Sequence, residues 1–330
     1  MKKIQIAVLC GGISSEHEVS LRSGDQVAKF LPRDKYHVSR IVITRDGRWM
    51  IGKKPIVIFN SKQGIHRNDL QEFDVVFIAL HGKFGEDGKV QAILDTIGVP
   101  YTGSGALASA LGMDKLWTNY LARKFVAIPK TIRLESLPGK RDAKKLHSKI
   151  SRSIGVPYVV KPNASGSSVG TTIVRQSSEL GPALVRAFKE SQIALAQQYI
   201  KGRELTCGVL GNLPLPPVEI RTKRTFFDYK AKYAPGTEEI CPAPLPPNIT
   251  KKVKMTARNV HKELGCEGLT RSDFMLSKSG KLYFLEINTI PGLTSESLCP
   301  KEAKAAGMSF GEFLDQQVTI ALQKNRGRYR

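Results

Sequence analysis

The sequence predicts a protein of mixed α/β and α+β class built from several packed units, the first of them a parallel sheet flanked by helices. Three observations carry that expectation: short apolar runs alternating with helical patterns near the start, two strands in the middle joined by a small polar loop, and paired apolar runs about a tight turn near the end. Alternating strands and helices favour a parallel sheet, and strands joined directly favour antiparallel ones. At 330 residues the chain exceeds one ordinary core, so two or three units are expected.

The first run, Ile4 to Leu9, ends in Gly11-Gly12 and is followed by an amphipathic stretch from Val19 to Leu31. This reads as strand, glycine loop and helix, with Glu16 at the loop able to hold an ammonium group. A second strand, Val75 to Leu80, ends in His81-Gly82, and a helix follows from about Lys89 to Ile97. Ligands on such sheets sit beyond the carboxyl ends of the strands, where Glu16 and His81 both fall. A structural histidine is the competing account of His81.

Helical patterns at Ala106 to Leu111 and Asp114 to Lys124 come next, and Pro129 marks a break. The middle unit reads as a helix from Asp142 to Ile154, strands Tyr158 to Lys161 and Val169 to Val174, a helix from Ser178 to Lys189, and a strand from Ile193 to Ile200. Its loop, Pro162 to Ser168, lacks the lysine-serine ending of a Walker loop. Small residues let backbone amides approach oxygens closely, so a flap over phosphates fits, with Lys161 as a contact at its base. A flexible hairpin tip beside a solvated lysine is the bland alternative.

Residues 221 to 247 show no clear period and read as a lid or binding loop, followed by a helix from Ile249 to Leu264. Then comes the hairpin, Asp273 to Leu276 and Lys281 to Ile287 about Ser279-Gly280. Alternation places Glu286 and Asn288 on one face of the second strand, where they can meet Asp273. Two carboxylates and an amide suit Mg²⁺ or Mn²⁺. Arg271, on the same side as Asp273, offers a fixed positive charge to an anion. A charged, solvated hairpin face is the other reading. Thr294 to Ser297 is hydroxyl-rich, and a helical pattern from Phe310 to Gln323 closes the chain.

The bulk numbers exclude several classes. No run approaches the length of a membrane span, and charge follows the first apolar run too soon for a secretory signal, so a cytoplasmic protein is expected. Five scattered cysteines without CxxC spacing indicate neither a disulfide framework nor a zinc site. The formal charge of +22 permits nucleic acid as a partner, yet the basic residues are dispersed and nowhere interleave aromatics for base stacking. Solvated surface is the preferred account, and nucleic acid is not an expected partner.

The segments GGISSEHEVSL, ALHGKFGEDG, PYTGSG, MDK, KPNASGSSVG, FDYKAKY, TRSDF and LEINTIPGLTSES, in this order and spacing from Ile4 to Phe313, resemble the D-alanine:D-alanine ligases of the ATP-grasp superfamily. Each alone is weak, and their succession carries the resemblance. It implies an ATP-grasp fold in three domains: 1–112, contributing to the amino-acid site; 113–210, with the serine flap; and 211–330, with the long loop, metal site and oxyanion site. It also implies a homodimer and ATP-driven joining of two D-alanines, through a D-alanyl phosphate, for peptidoglycan.

Carried over by position, the resemblance gives Glu16 the ammonium of the first D-alanine and sets His81 near its carboxylate. Lys115, Lys161 and Lys232 contact ATP phosphates, Ser165 to Ser168 cover them, and Glu204 binds the ribose. Tyr199, Val159, Phe226, Met275 and Leu285 surround the adenine. Asp273, Glu286 and Asn288 hold two Mg²⁺ or Mn²⁺ ions. Arg271 and the Gly292 amide stabilise the oxyanion, and Ser297 binds the second D-alanine's carboxylate. Glu16, Ser167 and Tyr233 link the first domain and flap to the nucleotide half. Tyr233 goes with D-alanine as second substrate, although D-serine differs by only one hydroxyl. Gln197 and Gln198 depart from the pattern, standing where an acidic residue commonly meets the adenine amino group. Another carboxylate-amine ligase with a different acceptor, or a non-enzymatic descendant of the fold, are the alternatives.

Overall fold

The computed structural model describes residues 2–58, 69–139, 142–166, 169–222 and 237–325. Its first sheet contains β1 (Ile4–Gly11), β2 (Tyr36–Ile43), β3 (Trp49–Ile51), β4 (Lys54–Pro55) and β5 (Val75–Ile78), in the order β4-β3-β2-β1-β5. β2, β1 and β5 run parallel as expected, while β3 and β4 extend the edge antiparallel. Helices α1 (His17–Phe30), α2 (Lys89–Ile97), α3 (Ala106–Met113) and α4 (Lys115–Ala122) complete the N-terminal elements.

Both faces of this sheet are buried. Ile6 and Val8 point into one core and Ala7 and Leu9 into another, which is why the run reads as continuously apolar. The first core is closed by the far end of the chain. Helix α9 (Phe310–Asn325) places Phe313, Leu314 and Val318 against Ile6, Val27 and Phe77. Tyr36 and Lys35 both donate to Asp315 of that helix, at 2.6 and 2.9 Å.

The middle sheet is antiparallel, with order β6-β9-β7-β8 from β6 (Thr131–Leu134), β7 (Tyr158–Pro162), β8 (Thr172–Val174) and β9 (Ala194–Gln198). Helices α5 (Ala143–Ile154) and α6 (Ser177–Glu190) cover the face carrying Tyr158, Val160, Ala194 and Ala196. β8 starts at Thr172 rather than Val169, because the chain is still turning at Gly170, where φ is +78°.

The last sheet, also antiparallel, runs β13-β12-β10-β14-β15, with β11 on β10. It comprises β10 (Gly202–Leu210), β11 (Leu213–Pro214), β12 (Val218–Thr222), β13 (Thr237–Ile240), β14 (Leu269–Ser277) and β15 (Leu282–Asn288). Helix α7 (Pro247–Glu263) packs on one face, over Leu205, Cys207, Phe274 and Phe284. Helix α8 (Leu298–Ala305) touches the other, where Leu298 meets Val218 and Ile220.

Packing runs across both expected divisions. β10 belongs to the last sheet, so that sheet begins at Gly202 and not after 210, because Leu205, Cys207 and Val209 alternate into the α7 core. The 112/113 division falls inside α3, whose Ala108 shares one core with Ala122 of α4 and with β15 and α7.

Phe313 is fully buried between the two ends of the chain. Phe313→Ala is expected to cost about 3–5 kcal/mol in urea unfolding, whereas Leu107→Ala, on an exposed face, should change stability by less than about 0.5 kcal/mol.

Candidate active site

A cleft of about 890 Å³ lies where the middle and last sheets meet loops of the first unit. Glu16, His81, Lys115, Lys161, Tyr199, Glu204, Arg271, Asp273, Leu285, Glu286, Asn288, Gly292 and Ser297 all line it, as do Val159 and Met275. The structure thus brings together every expected site residue that it describes. Ser167, Ser168, Phe226, Lys232 and Tyr233 lie outside the described residues.

The N-terminal wall is made by the loops after β1 and β5, neighbouring strands whose chains leave in opposite directions. Such a point opens a crevice at the strand ends. Ser14 joins the two loops: its hydroxyl donates to the His81 carbonyl (2.7 Å) and accepts the Glu16 amide (3.1 Å). Nδ1 of His81 lies 3.1 Å from the Ile290 carbonyl, which can only accept, so Nδ1 carries a proton; Nε2 lies 2.8 Å from the Ser23 hydroxyl. The ring is thereby held between two segments of chain remote from its own. The Glu16 carboxylate sits against Gly82, whose φ is +74°, and an added Cβ there would fall 2.7 Å from Oε2. Gly166, of the polar loop, abuts the same oxygen, so flap and N-terminal unit already touch at Glu16.

Alternation on β7 turns Val159 and Lys161 toward the cleft and Tyr158 and Val160 toward the helices. Lys161 is only 7% exposed, and burial pushes its ammonium down to about 8, against the pull of Glu286. The Lys115 ammonium donates to the Ser165 carbonyl (2.8 Å) and stands 3.3 Å from Glu286. Its helix is held by two residues that sequence reasoning missed as scaffold. Asp114 caps α4 by accepting the Trp117 amide (3.0 Å), and Asn163 donates to Asp114 (2.8 Å) while accepting the Leu116 amide (3.0 Å). The S/T/D/N-x-x-x pattern before a helix was the available signal.

On the last sheet, Asp273 lies directly opposite Glu286, and Arg271 opposite Asn288. The Arg271 fork spans both oxygens of Asp273 at 2.8 Å each. Burial opposes the guanidinium charge, but the Asp273 carboxylate outweighs it and holds the group charged above its ordinary value. The fork therefore faces Asp273 first, a partner the alternation alone does not reveal. Each carboxylate oxygen keeps further lone pairs, as does Asn288 Oδ1 beyond its bond from the Ile290 amide (2.8 Å). No three His, Cys, Asp or Glu side chains gather as a metal site among the described residues. The donor set that fits a hard cation is two carboxylates and an amide, completed by oxygens of a bound substrate.

Gly292 and Ser297 close the far end. The Ser297 hydroxyl accepts the Thr294 amide (3.2 Å), lies 2.8 Å from the Thr294 hydroxyl, and rests over the Cα of Gly292 at the start of α8. Gln197 spends its amide on Thr131 (3.1 Å), and the Gln198 carbonyl accepts the Lys130 amide (3.3 Å). Both glutamines thus fasten β9 to the start of β6.

Two antiparallel sheets closing on a lysine- and carboxylate-lined cleft, with a parallel-sheet unit at one end, form the ATP-grasp fold. The chain belongs to the D-alanine–D-alanine ligase family, matching its N-terminal family model over residues 5–104 and its C-terminal model over 123–319. A D-alanine–D-alanine ligase of Syntrophotalea carbinolica is 41% identical, covering 96% of this chain and 95% of its own. Among solved structures, the VanG D-Ala:D-Ser ligase of Enterococcus faecalis is 32% identical, with a TM-score of 0.84 over 97% of this chain and 100% of that one. The Bacillus anthracis D-alanine–D-alanine ligase complexed with ATP is 31% identical, with a TM-score of 0.78 over 98% and 99%.

Gly82→Ala forces a left-handed residue to carry a side chain and drives it into Glu16, so a loss of about 1–3 kcal/mol is expected in thermal unfolding. In a Glu16→Ala background the loss should shrink, because the overlap with the carboxylate is gone and only the backbone strain and the tight contact with Ser14 remain.

Proposed function

We propose that this protein joins two D-alanines at the expense of ATP. The single observation that carries the reading is that one cleft, in a chain belonging to this family along nearly its whole length, is lined by Glu16, Lys115, Lys161, Arg271 and Gly292, groups suited to an ammonium, phosphates and an oxyanion. A carboxylate is a poor electrophile. In the first step its oxygen attacks the γ-phosphorus of ATP and ADP departs with the bridging oxygen, giving D-alanyl phosphate. In the second, the neutral amine of the other D-alanine attacks the carbonyl carbon. Phosphate then leaves with the C–O electron pair, and the amine gives up a proton.

Each residue answers a charge in that sequence. Glu16 holds the first ammonium, with His81 fixed beside the carboxylate. Lys115, Lys161 and, beyond the described residues, Lys232 meet the phosphates under the Ser165–Ser168 loop, where the positive charge already faces Glu286. Glu204 takes the ribose, and Val159, Tyr199, Met275 and Leu285, with Phe226, take the adenine. Arg271 and the Gly292 amide are preorganised donors for the tetrahedral oxyanion. Ser297 at the α8 N-terminus receives the second carboxylate, and Ser167 and Tyr233 link flap and loop to Glu16. Asp273, Glu286 and Asn288 would hold two Mg²⁺ or Mn²⁺ ions, whose charge offsets that of the phosphates. No helix among the described residues is long and apolar enough to cross a membrane. We place the reaction in the cytoplasm, in a homodimer, feeding peptidoglycan synthesis; nucleic acid is no part of the reading.

Phosphate release from ATP and Mg²⁺ is expected to require D-alanine, with D-alanyl-D-alanine as product; release that D-alanine does not stimulate would overturn the reading. D-serine supplied as second substrate reads the acceptor preference in the same assay. Arg271→Lys keeps the charge but not the planar fork, so turnover should fall at least about tenfold with ATP affinity little changed. Calorimetry should show proton uptake on ATP binding near pH 8, since phosphate recharges Lys161 from about 8 in the free protein. ATP affinity should therefore fall as pH rises through that value, and Lys161→Met should abolish the uptake. The linked effect on stability has the opposite sign. Between about 8 and the ordinary lysine value near 10.4, the unfolded chain binds the extra proton, so the ATP-free protein gains stability with pH.

A further inference from the structure

We propose that Glu302 is a positioning residue for Arg271, its carboxyl walling the guanidinium onto Asp273. The proposal builds on the ligase reading but goes beyond the residues assigned to it. Glu302 lies on α8 and is wholly buried. Its Oε2 accepts the Gly208 amide at 2.8 Å, and Oε1 has no hydrogen-bond partner.

The register explains why this matters. Gly208 on β10 stands directly opposite Arg271 on β14. Side chains at such cross-strand positions are about 4.5–5.5 Å apart at Cβ and pack against each other. Gly208 supplies none, and a Cβ added there would overlap the Glu302 carboxyl. The carboxyl therefore stands in for the missing cross-strand neighbour of Arg271, on the face that also carries Asp273 and Met275. The Cys299 thiol packs beside it, and a Cβ on Gly208 would meet that sulfur too.

The electrostatics suit a wall rather than a second counter-ion. Burial lifts the Glu302 carboxyl to about 8, more than the Gly208 amide and the Arg271 charge lower it, so the group is neutral at neutral pH. Asp273 then has no anionic rival for the guanidinium fork. A purely structural account also exists: β11 and β12 leave Gly208 without a ladder partner for its amide, and Glu302 satisfies that donor where Pro216 and Pro217 interrupt the sheet.

A double-mutant cycle separates the two accounts. With D-alanine, ATP and Mg²⁺, Glu302→Ala is expected to lower kcat about tenfold with the KM for ATP within about twofold, and Glu302→Gln, which keeps shape and acceptor, to restore most of it. In an Arg271→Lys background, Glu302→Ala should change kcat less than about twofold, since it acts through the arginine. Equal losses in both backgrounds, or no loss in either, would overturn the proposal. A second readout needs no turnover and so stands apart from the ligase reading: hydrogen exchange of the Arg271 Nε–H, identified by NMR through its disappearance in Arg271→Lys. It should quicken at least about tenfold in Glu302→Ala but not in Glu302→Gln. Unchanged exchange in Glu302→Ala would sink the positioning role even in a protein with some other activity.

Discussion

One unpaired residue decides what the cleft can do. Along β15, Phe284 pairs with Phe274 and Glu286 with Asp273, so Leu285 is an extra residue in the ladder. Without that bulge, strict alternation from Phe284 would send Glu286 into the α7 core and turn Ile287 to the cleft. With it, Leu285 and Glu286 both line the cleft while Phe284 and Ile287 stay in the core. Bulges re-aim side chains in this way beside functional sites. An apolar contact and a carboxylate thus become neighbours on the same surface.

The cleft's other constraint is charge held out of water. Buried ions persist only when paired or when they give up charge, and the site uses both routes. Arg271 and Asp273 satisfy each other through two parallel bonds. Lys161, with no partner that close among the described residues, has its charge loosened instead. Under the proposed function, polyphosphate in this space would give Lys161 a close anion, so substrate binding would relieve a tension that folding created. A surface patch of the same residues, screened by water and salt, would have little such preference.

Much of this was legible in the sequence because period-two and period-3.6 patterns survive wherever one face is buried. The β14–β15 hairpin and α1 are of that kind, β1 showed instead as a continuous apolar run because both its faces are buried, and the catalytic candidates stood at their ends. The sheet that β10 joins was not legible, because β10 follows β9 almost at once and nothing in its alternation says which of two sheets it joins. β3 and β4 were unreadable, since an edge hairpin of three and two residues has too few positions to show a period. The Leu285 bulge was hidden for a subtler reason: an apolar residue before a glutamate fits alternation and a bulge equally well.

The scaffold residues were hidden for the opposite reason, in that their chemistry is ordinary and only their placement is special. Asn163, Asp114 and Ser14 are common turn and cap residues, yet each ties one cleft wall to another by bonds that cross long stretches of chain. The same logic reaches the ends of the chain. Helix α9 seals the core beneath β1, and α8, just before it, reaches the sheet that carries Arg271. Loops that hold Glu16 and His81 are therefore anchored by the helix that follows Ser297 and its neighbours in sequence. The two ends of the cleft are fixed to one continuous C-terminal segment, and between them the loop after β7 meets Glu16 at Gly166 and Lys115 at the Ser165 carbonyl.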